Sequence, residues 1–234
     1  MCSRGFKKLF TVKLGLTPYK EAWDLQKKLV KLRYQGKVPD LLLMTEHEPV
    51  ITMGRATQKE NLLVSRDELK ERNVDLHMIE RGGDITFHGP GQVVAYPIID
   101  LSTRGKDLHG YLRDLESVII DTLTEYGLTG TIKKGLTGVW VNNHKLAAIG
   151  VAVTRWVTFH GLALNVTTDL DYFKLINPCG ITQFPVGSIS SMLGKQISLD
   201  RAMNVLADSF ATRFGYEAEP VKDLEILLEE LAVA

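Results

Sequence analysis

Four stretches of the 234-residue chain carry residue types that could serve nucleophilic attack, proton transfer or ligand binding. In Asn177-Pro178-Cys179-Gly180 a thiol stands between proline and glycine, which places it on a turn. A free cysteine is most often a small buried hydrophobe, and Cys179 read alone takes that reading first. A neighbouring cation or base would make it a nucleophile by raising its thiolate fraction. Lys145 opens Lys-Leu-Ala-Ala-Ile-Gly150, a run of otherwise small apolar residues. Such a lysine either snorkels to water from a hairpin end or, when partly desolvated, has a lowered pKa and shuttles protons. The third stretch, Arg81-Gly-Gly-Asp-Ile-Thr-Phe-His88-Gly-Pro-Gly-Gln92, is dense in glycine between strand-like runs. Its glycines are either turn punctuation or backbone that approaches a ligand closely and offers N–H groups to oxygen atoms. Arg81 and His88 tilt the balance towards a site. The Gly-Lys-Ser/Thr ending of a P-loop is absent, and no Gly-x-Gly-x-x-Gly follows a strand. The fourth stretch, Phe159-His160-Gly-Leu-Ala-Leu-Asn165, sets a histidine among small strand residues, where a satisfied core histidine is the plainer reading. Histidines at 47, 77, 88, 109, 144 and 160 make no pair at helical ligand spacing, so no metal site is expected. There is no Gly-x-Ser-x-Gly elbow.

Regular elements must position these residues. Thr17-Pro18 reads as an N-cap followed by proline at the first helical position; Ala22, Leu25, Leu29 and Leu32 then form one helical face that Gly36 ends. The run from Asp40 to Met44 has strand length, and Ser65-Arg-Asp-Glu68 spells a capping box for a short helix to about Asn73. From Leu76 to Leu101 the pattern is strand-like, broken at Gly82-Gly83 and Gly89-Pro90-Gly91. Asp107 caps a long helix with Leu108, Tyr111, Leu112, Leu115, Ile119 and Leu123 inward, ended by Gly127. Gly138 to Val141 and Lys145 to Val153 make a hairpin across Asn142-Asn143-His144; Thr154-Arg155 turns into a strand from Trp156 to Val166. Ser198 opens a helix with Ala202, Val205, Leu206 and Phe210 inward, Gly215 follows it, and Pro220 starts an acidic helix over 220–232. Strands gathered between about 76 and 166 and flanked by helices predict an α/β (α+β) fold, one domain over 1–234. Its sheet is expected to be mixed or antiparallel rather than doubly wound and parallel.

Hydrophobic residues at 44% with 28 basic and 28 acidic side chains exclude a disordered chain, and zero net charge argues against nucleic acid as a partner. No apolar run reaches the ~18 residues of a membrane span. Two cysteines make no disulfide framework and fit a reducing compartment. The charge is uneven: residues 1–40 hold 10 Lys/Arg and 3 Asp/Glu, a net of +7, while 217–234 hold 6 acids and Lys222, a net of −5. The basic segment reads as a solvated surface, a docking face for an acidic partner, or part of a targeting signal. Thr17-Pro18 already opens a folded element and leaves little room for a removable leader, so a cytoplasmic location is expected, with the mitochondrial matrix as the alternative.

In chain order, Thr45-Glu-His-Glu-Pro-Val-Ile-Thr-Met-Gly-Arg55, Asn61-Leu62-Leu63, Arg81-Gly-Gly, His88-Gly-Pro-Gly-Gln92, Tyr96-Pro97 and Gly138-Val-Trp-Val141 resemble the lipoyl(octanoyl) transferases. So do Lys145-Leu-Ala-Ala-Ile-Gly150, His160-Gly-Leu-Ala-Leu-Asn165 and Ile176-Asn-Pro-Cys-Gly-Ile181, and the likeness spans roughly residues 10–215. Each motif is weak alone; the ordered set is specific. The resemblance implies the fold of the biotin/lipoate protein ligases, a mixed β-sheet flanked by helices. It implies transfer of octanoyl from octanoyl-acyl carrier protein to a lysine of apo lipoyl domains, found in 2-oxoacid dehydrogenase complexes and the glycine cleavage H protein. It implies a catalytic dyad of Cys179 and Lys145. Substrate contacts carry over to Arg81, Gly82, Gly83, Asp84, Ile85, Thr86, Phe87 and His88, to Ala148, Ile149 and Gly150, and to Gly161, Leu162 and Ala163. Phe87 stands where the family commonly has tyrosine, which puts a hydroxyl contact there in question. No ATP, other cofactor or metal is expected, and family members are commonly monomers.

On this resemblance Lys145 takes the proton of Cys179, and the thiolate attacks the incoming thioester. Free N–H groups of the glycine-rich loop, or near Gly180, are expected to hold the oxyanion. Gly82, Gly83, Ala148, Gly150, Gly161 and Ala163 leave room for an eight-carbon slot. Three other readings compete. An ATP-dependent lipoate ligase on the same fold needs no thiol, an amidotransferase acting between lipoyl domains places its cysteine elsewhere, and a non-catalytic carrier-binding module needs neither Cys179 nor Lys145.

Overall fold

The computed structural model describes residues 7–178 and 183–233. In chain order these form β1 (Lys7–Thr17), α1 (Tyr19–Tyr34), β2 (Leu41–His47), β3 (Val50–Met53), α2 (Arg66–Glu71), β4 (Asp75–Met78), β5 (Ile85–His88) and β6 (Gln92–Ile98). Then come α3 (Leu108–Thr124), β7 (Thr131–Lys133), β8 (Leu136–Val141), β9 (His144–Thr154), β10 (Val157–Asn165), α4 (Ile189–Leu193), α5 (Leu199–Phe214), β11 (Tyr216–Val221) and α6 (Leu224–Val233). The main sheet has the order β11-β1-β2-β6-β10-β9-β8-β7, and a small sheet has the order β4-β3-β5. In the main sheet β1 runs parallel to β11 and β2, and the other pairs are antiparallel. The mixed sheet flanked by helices agrees with the expected fold class.

The main sheet is covered on both faces. On one, Leu115 and Ile119 of α3 and Leu206 and Phe210 of α5 meet Val93, Leu162 and Leu164. On the other, Ala22, Leu29 and Val30 of α1 meet Val94, Tyr96 and Ala163. Every residue of β6 and β10 is therefore buried, and their sequences read as near-continuous apolar runs without alternation. The hairpin between β8 and β9 turns on Asn142 and Asn143, both in the left-handed region (φ 47° and 65°), as their side chains tolerate. Among the described residues no helix is long and apolar enough to cross a membrane.

Three local expectations need correction, and one strand went unread. Strand β1 was not legible: its parallel partners lie far along the chain, and Gly15 (φ 73°) lies within the register shift between Lys13 and Leu16 that interrupts its alternation. Pro18 holds the N-cap position of α1 rather than the first helical one, and the Thr17 hydroxyl donates to Leu14 O instead of capping. The turn after β9 falls on Arg155 and Trp156, one residue later than expected. Pro220 does not open a helix over 220–232; it lies in β11 beside β1, and α6 begins at Leu224 after Asp223, whose carboxylate accepts from Glu225 and Ile226 N–H. The uneven charge is partly internal as well. Lys8 pairs with Glu219 and Lys13 with Asp200, while Lys20, Lys27 and Arg33 pair with Asp24, Glu80 and Asp40.

Candidate active site

The hairpin of β9 and β10 supplies the floor of the site. Its register sets Ala148, Ile149 and Gly150 opposite Ala163, Leu162 and Gly161. These six residues line a narrow void, partly open to solvent, together with Arg81, Gly83, Thr86 and His88. Tyr19, Val94, Tyr96 and His160 complete its wall, and sequence reasoning named none of them as substrate contacts. The small residues are sterically required. A Cβ at Gly150 would stand 2.9 Å from Arg81 Cδ and Gly82 O, and one at Gly161 would fall 2.2 Å from Ala95 O.

Strand alternation divides the stretch from Arg81 to His88. Thr86 and His88 face the void, whereas Ile85 and Phe87 turn into the small core, where Phe87 stacks on Tyr172 with ring centroids 4.7 Å apart. Position 87 therefore does not line the void. Gly82, Gly83 and Asp84 border an outer groove that also contains Lys145, Ile149 and Gly150. The glycine loop is laced to its neighbours by Gly82 N–H to Val151 O (2.9 Å), Arg55 N–H to Arg81 O (3.0 Å) and Ala56 N–H to Gly83 O (3.1 Å). The N–H of Gly82 is thus committed and cannot serve an oxyanion.

Lys145 is 6% exposed near the start of β9. Its main chain is clamped by residues 185–187: its N–H donates to Pro185 O (2.8 Å) and its carbonyl accepts from Gly187 N–H (3.0 Å). Its Nζ stands 5.3 Å from the Trp140 ring centroid. The lysine lines a second, smaller void, which shares Thr86, Ala148 and Ala163 with the first and is also lined by Pro178 and Val186. Cys179 itself lies outside the described residues, as does Gly180.

Gly138 makes room for the lysine stem. It adopts φ 138°, and a Cβ there would lie 2.5 Å from Ala147 O and 2.9 Å from Lys145 Cε. Gly138→Ala is expected to displace the lysine and to cost about 1–3 kcal/mol of stability by overpacking. Urea unfolding and turnover should fall together; an active, unshifted variant would show that the stem has slack.

At the far end of the first void stands a buried polar group. The Tyr96 hydroxyl donates to His47 Nε2 (2.7 Å), because His47 Nδ1–H is given to Thr17 O (2.8 Å). His88 Nδ1–H donates to Gln92 Oε1 (2.7 Å), Gln92 Nε2 to Asn165 Oδ1 (2.8 Å), and Asn165 Nδ2 to Gly187 O (3.0 Å). This relay connects His88 to the segment that clamps Lys145. Burial holds His47 and His160 down to about 4 and His88 to about 3, so all three imidazoles are neutral at pH 7. Burial likewise pushes the phenols of Tyr19 and Tyr96 up. Arg81 adds a buried cation to the wall of the first void; its guanidinium donates to Thr52 O (2.8 Å), Thr52 Oγ1 (3.0 Å) and Gly82 O (3.1 Å). The arrangement is a narrow slot with small apolar walls, an uncharged polar end and a buried lysine at the other end. It suits an acyl chain.

Comparison with known proteins agrees. Residues 18–211 match the lipoyl protein ligase A/B catalytic domain. The octanoyltransferase of Desulforamulus reducens is 42% identical over 220 residues, covering 94% of this chain and 96% of its own length. That of Solibacter usitatus is 49% identical over 208 residues, with 88% and 93% covered. The chain belongs to the octanoyltransferase family. It is an acyltransferase. The octanoyltransferase fold seen here also superposes on a bi-partite lipoate protein ligase from Thermoplasma acidophilum, with TM-score 0.69 at 18% identity over 97% of this chain and 92% of that one.

Proposed function

We propose that this enzyme transfers octanoyl from octanoyl-acyl carrier protein to a lysine of an apo lipoyl domain, through a thioester on Cys179. The observation that carries the reading is that Pro178, the residue before Cys179, lines the same void as the buried Lys145. In the first half-reaction Lys145 Nζ takes the thiol proton and the Cys179 sulfur attacks the octanoyl carbonyl. The carbonyl–sulfur bond to the carrier breaks, and the carrier thiol leaves with the proton. In the second, the acceptor lysine amine attacks the acyl-enzyme, Lys145 receives the amine proton, and the Cys179 thiolate departs and is reprotonated. Exchanging one thioester for another is nearly isoenergetic, so the route needs no ATP, cofactor or metal, and splitting the transfer is the gain of covalent catalysis. The octanoyl chain lies between Ala148–Gly150 and Gly161–Ala163, where each buried methylene contributes about 0.8 kcal/mol. The related archaeal ligase is described together with its E2 lipoyl domain, which supports a lipoyl-domain acceptor here, in 2-oxoacid dehydrogenase complexes or the glycine cleavage H protein. The enzyme acts as a cytoplasmic monomer on this reading.

Without ATP, mixing the protein with octanoyl-acyl carrier protein is expected to add one octanoyl mass to the intact chain. The adduct should vanish in Cys179→Ala. An unmodified wild type that instead transfers free octanoate in the presence of ATP would overturn the thioester route in favour of a ligase.

A further inference from the structure

Beside the site runs a groove that the chemistry above does not use. Met53, Leu76 and Met78 line it, and Arg55, Lys59 and Arg66 stand around it with no carboxylate among its lining residues. Met78 is 75% exposed, a large apolar side chain left to water. None of the three cations makes an ion pair among the described residues, in contrast to Lys8, Lys13, Lys20, Lys27 and Arg33. Of the acids of α2, Asp67 faces Lys70 and Glu68 closes the capping box on Ser65, while Glu71 at its end and Glu60 in the preceding loop lie outside the groove's lining. Exposed apolar area beside unpaired charge of one sign is the composition of a recognition surface for a partner of the opposite sign.

Its position ties it to the reaction. Arg55 and Ala56 hold the glycine loop through Arg81 O and Gly83 O, and Ala56 also borders the outer groove that contains Lys145. The basic groove and the lysine groove thus lie on two sides of one short loop. Resting on the proposed function, we infer that Arg55, Lys59 and Arg66 dock the acyl-donor carrier protein by an acidic, partly apolar helical face, its acyl-bearing arm passing the loop at Ala56 towards Lys145. The donor's acyl group arrives on a phosphodiester-linked arm, whose negative charge the three cations attract.

Lys59→Glu/Arg66→Glu tests this, leaving Arg55 alone because its main chain holds the glycine loop. Titration of the intact enzyme with holo-carrier protein is expected to show Kd raised at least about tenfold by the double reversal, with a weaker salt dependence. Lys59→Arg/Arg66→Lys should bind as wild type does. At saturating octanoyl-carrier the limiting rate of adduct formation should stay within about twofold. An unchanged Kd overturns the inference, as does a change confined to the lipoyl-domain KM, or a limiting rate that falls as far as binding does. A wild type that binds the carrier through these residues yet forms no adduct would leave the docking intact and sink the proposed function instead.

Discussion

Lys145→Met is expected to slow octanoyl transfer by about 10²–10⁴-fold, the range a positioned general base and acid contributes. The melting temperature should stay near that of the wild type. Methionine keeps an unbranched stem over Trp140, and the clamp on Lys145 is made by its main chain to Pro185 and Gly187, which the side chain does not affect. What is lost is a nitrogen that can hold a proton between the two half-reactions. The proposal therefore places the loss in both steps: adduct formation from the octanoyl carrier, and discharge of a preformed adduct to the lipoyl domain. Rapid-quench measurement of each step checks this. Loss in the first step alone would confine Lys145 to activating the thiol, and transfer within threefold of wild type would remove it from the chemistry.

How much of this was legible in the sequence depended on how local the determinant was. The Asn142-Asn143 turn, the Ser65–Glu68 capping box and the Asp107 cap are each fixed by residues within a few positions, and the structure holds all three. Strand β1 depends on β2 and β11, the latter some two hundred residues away, and no local pattern announces such partners. The site divides in the same way. The glycines stand out in the sequence as a type, but their reasons differ: Gly83 adopts φ 85°, whereas a side chain on Gly150 or Gly161 would strike Gly82 O or Ala95 O. Tyr19, His47 and Tyr96 come from α1, β2 and β6, and only the sheet order brings them to the end of the void. The excess of basic residues at the start of the chain read as a solvated surface, a docking face or part of a targeting signal. In space Lys8 and Lys13 meet Glu219 and Asp200 from the far end of the chain, whereas Arg55, Lys59 and Arg66, which no local charge pattern singled out, gather around one groove without an ion pair among the described residues.

The buried imidazoles make a second large effect: the protein is expected to lose several kcal/mol of stability as pH falls from about 6.5 towards 4. The sign follows from proton binding. In the unfolded chain histidine protonates near 6.5, whereas in the folded protein His47 and His160 do so only at about 4 and His88 at about 3. Between those values the unfolded state binds more protons, so acid draws the equilibrium towards it. Full stability is present above 6.5 and is lost as pH descends towards the folded-state values. Each unit of difference corresponds to about 1.4 kcal/mol, so one histidine contributes on the order of 3 kcal/mol at pH 4. The ring centroids of His47 and His88 stand 6.0 Å apart, and with His160 the three exert an effect comparable to the ~5–15 kcal/mol that holds a domain together. Urea midpoints taken between pH 7.5 and 4.5 read this loss above most of the carboxylate range. His47→Gln keeps a donor for Thr17 O and an acceptor for the Tyr96 hydroxyl while removing one titrating ring. Its stability should fall less steeply with acid than that of the wild type. Identical slopes would show that water reaches His47 and that its burial does not govern the acid limit.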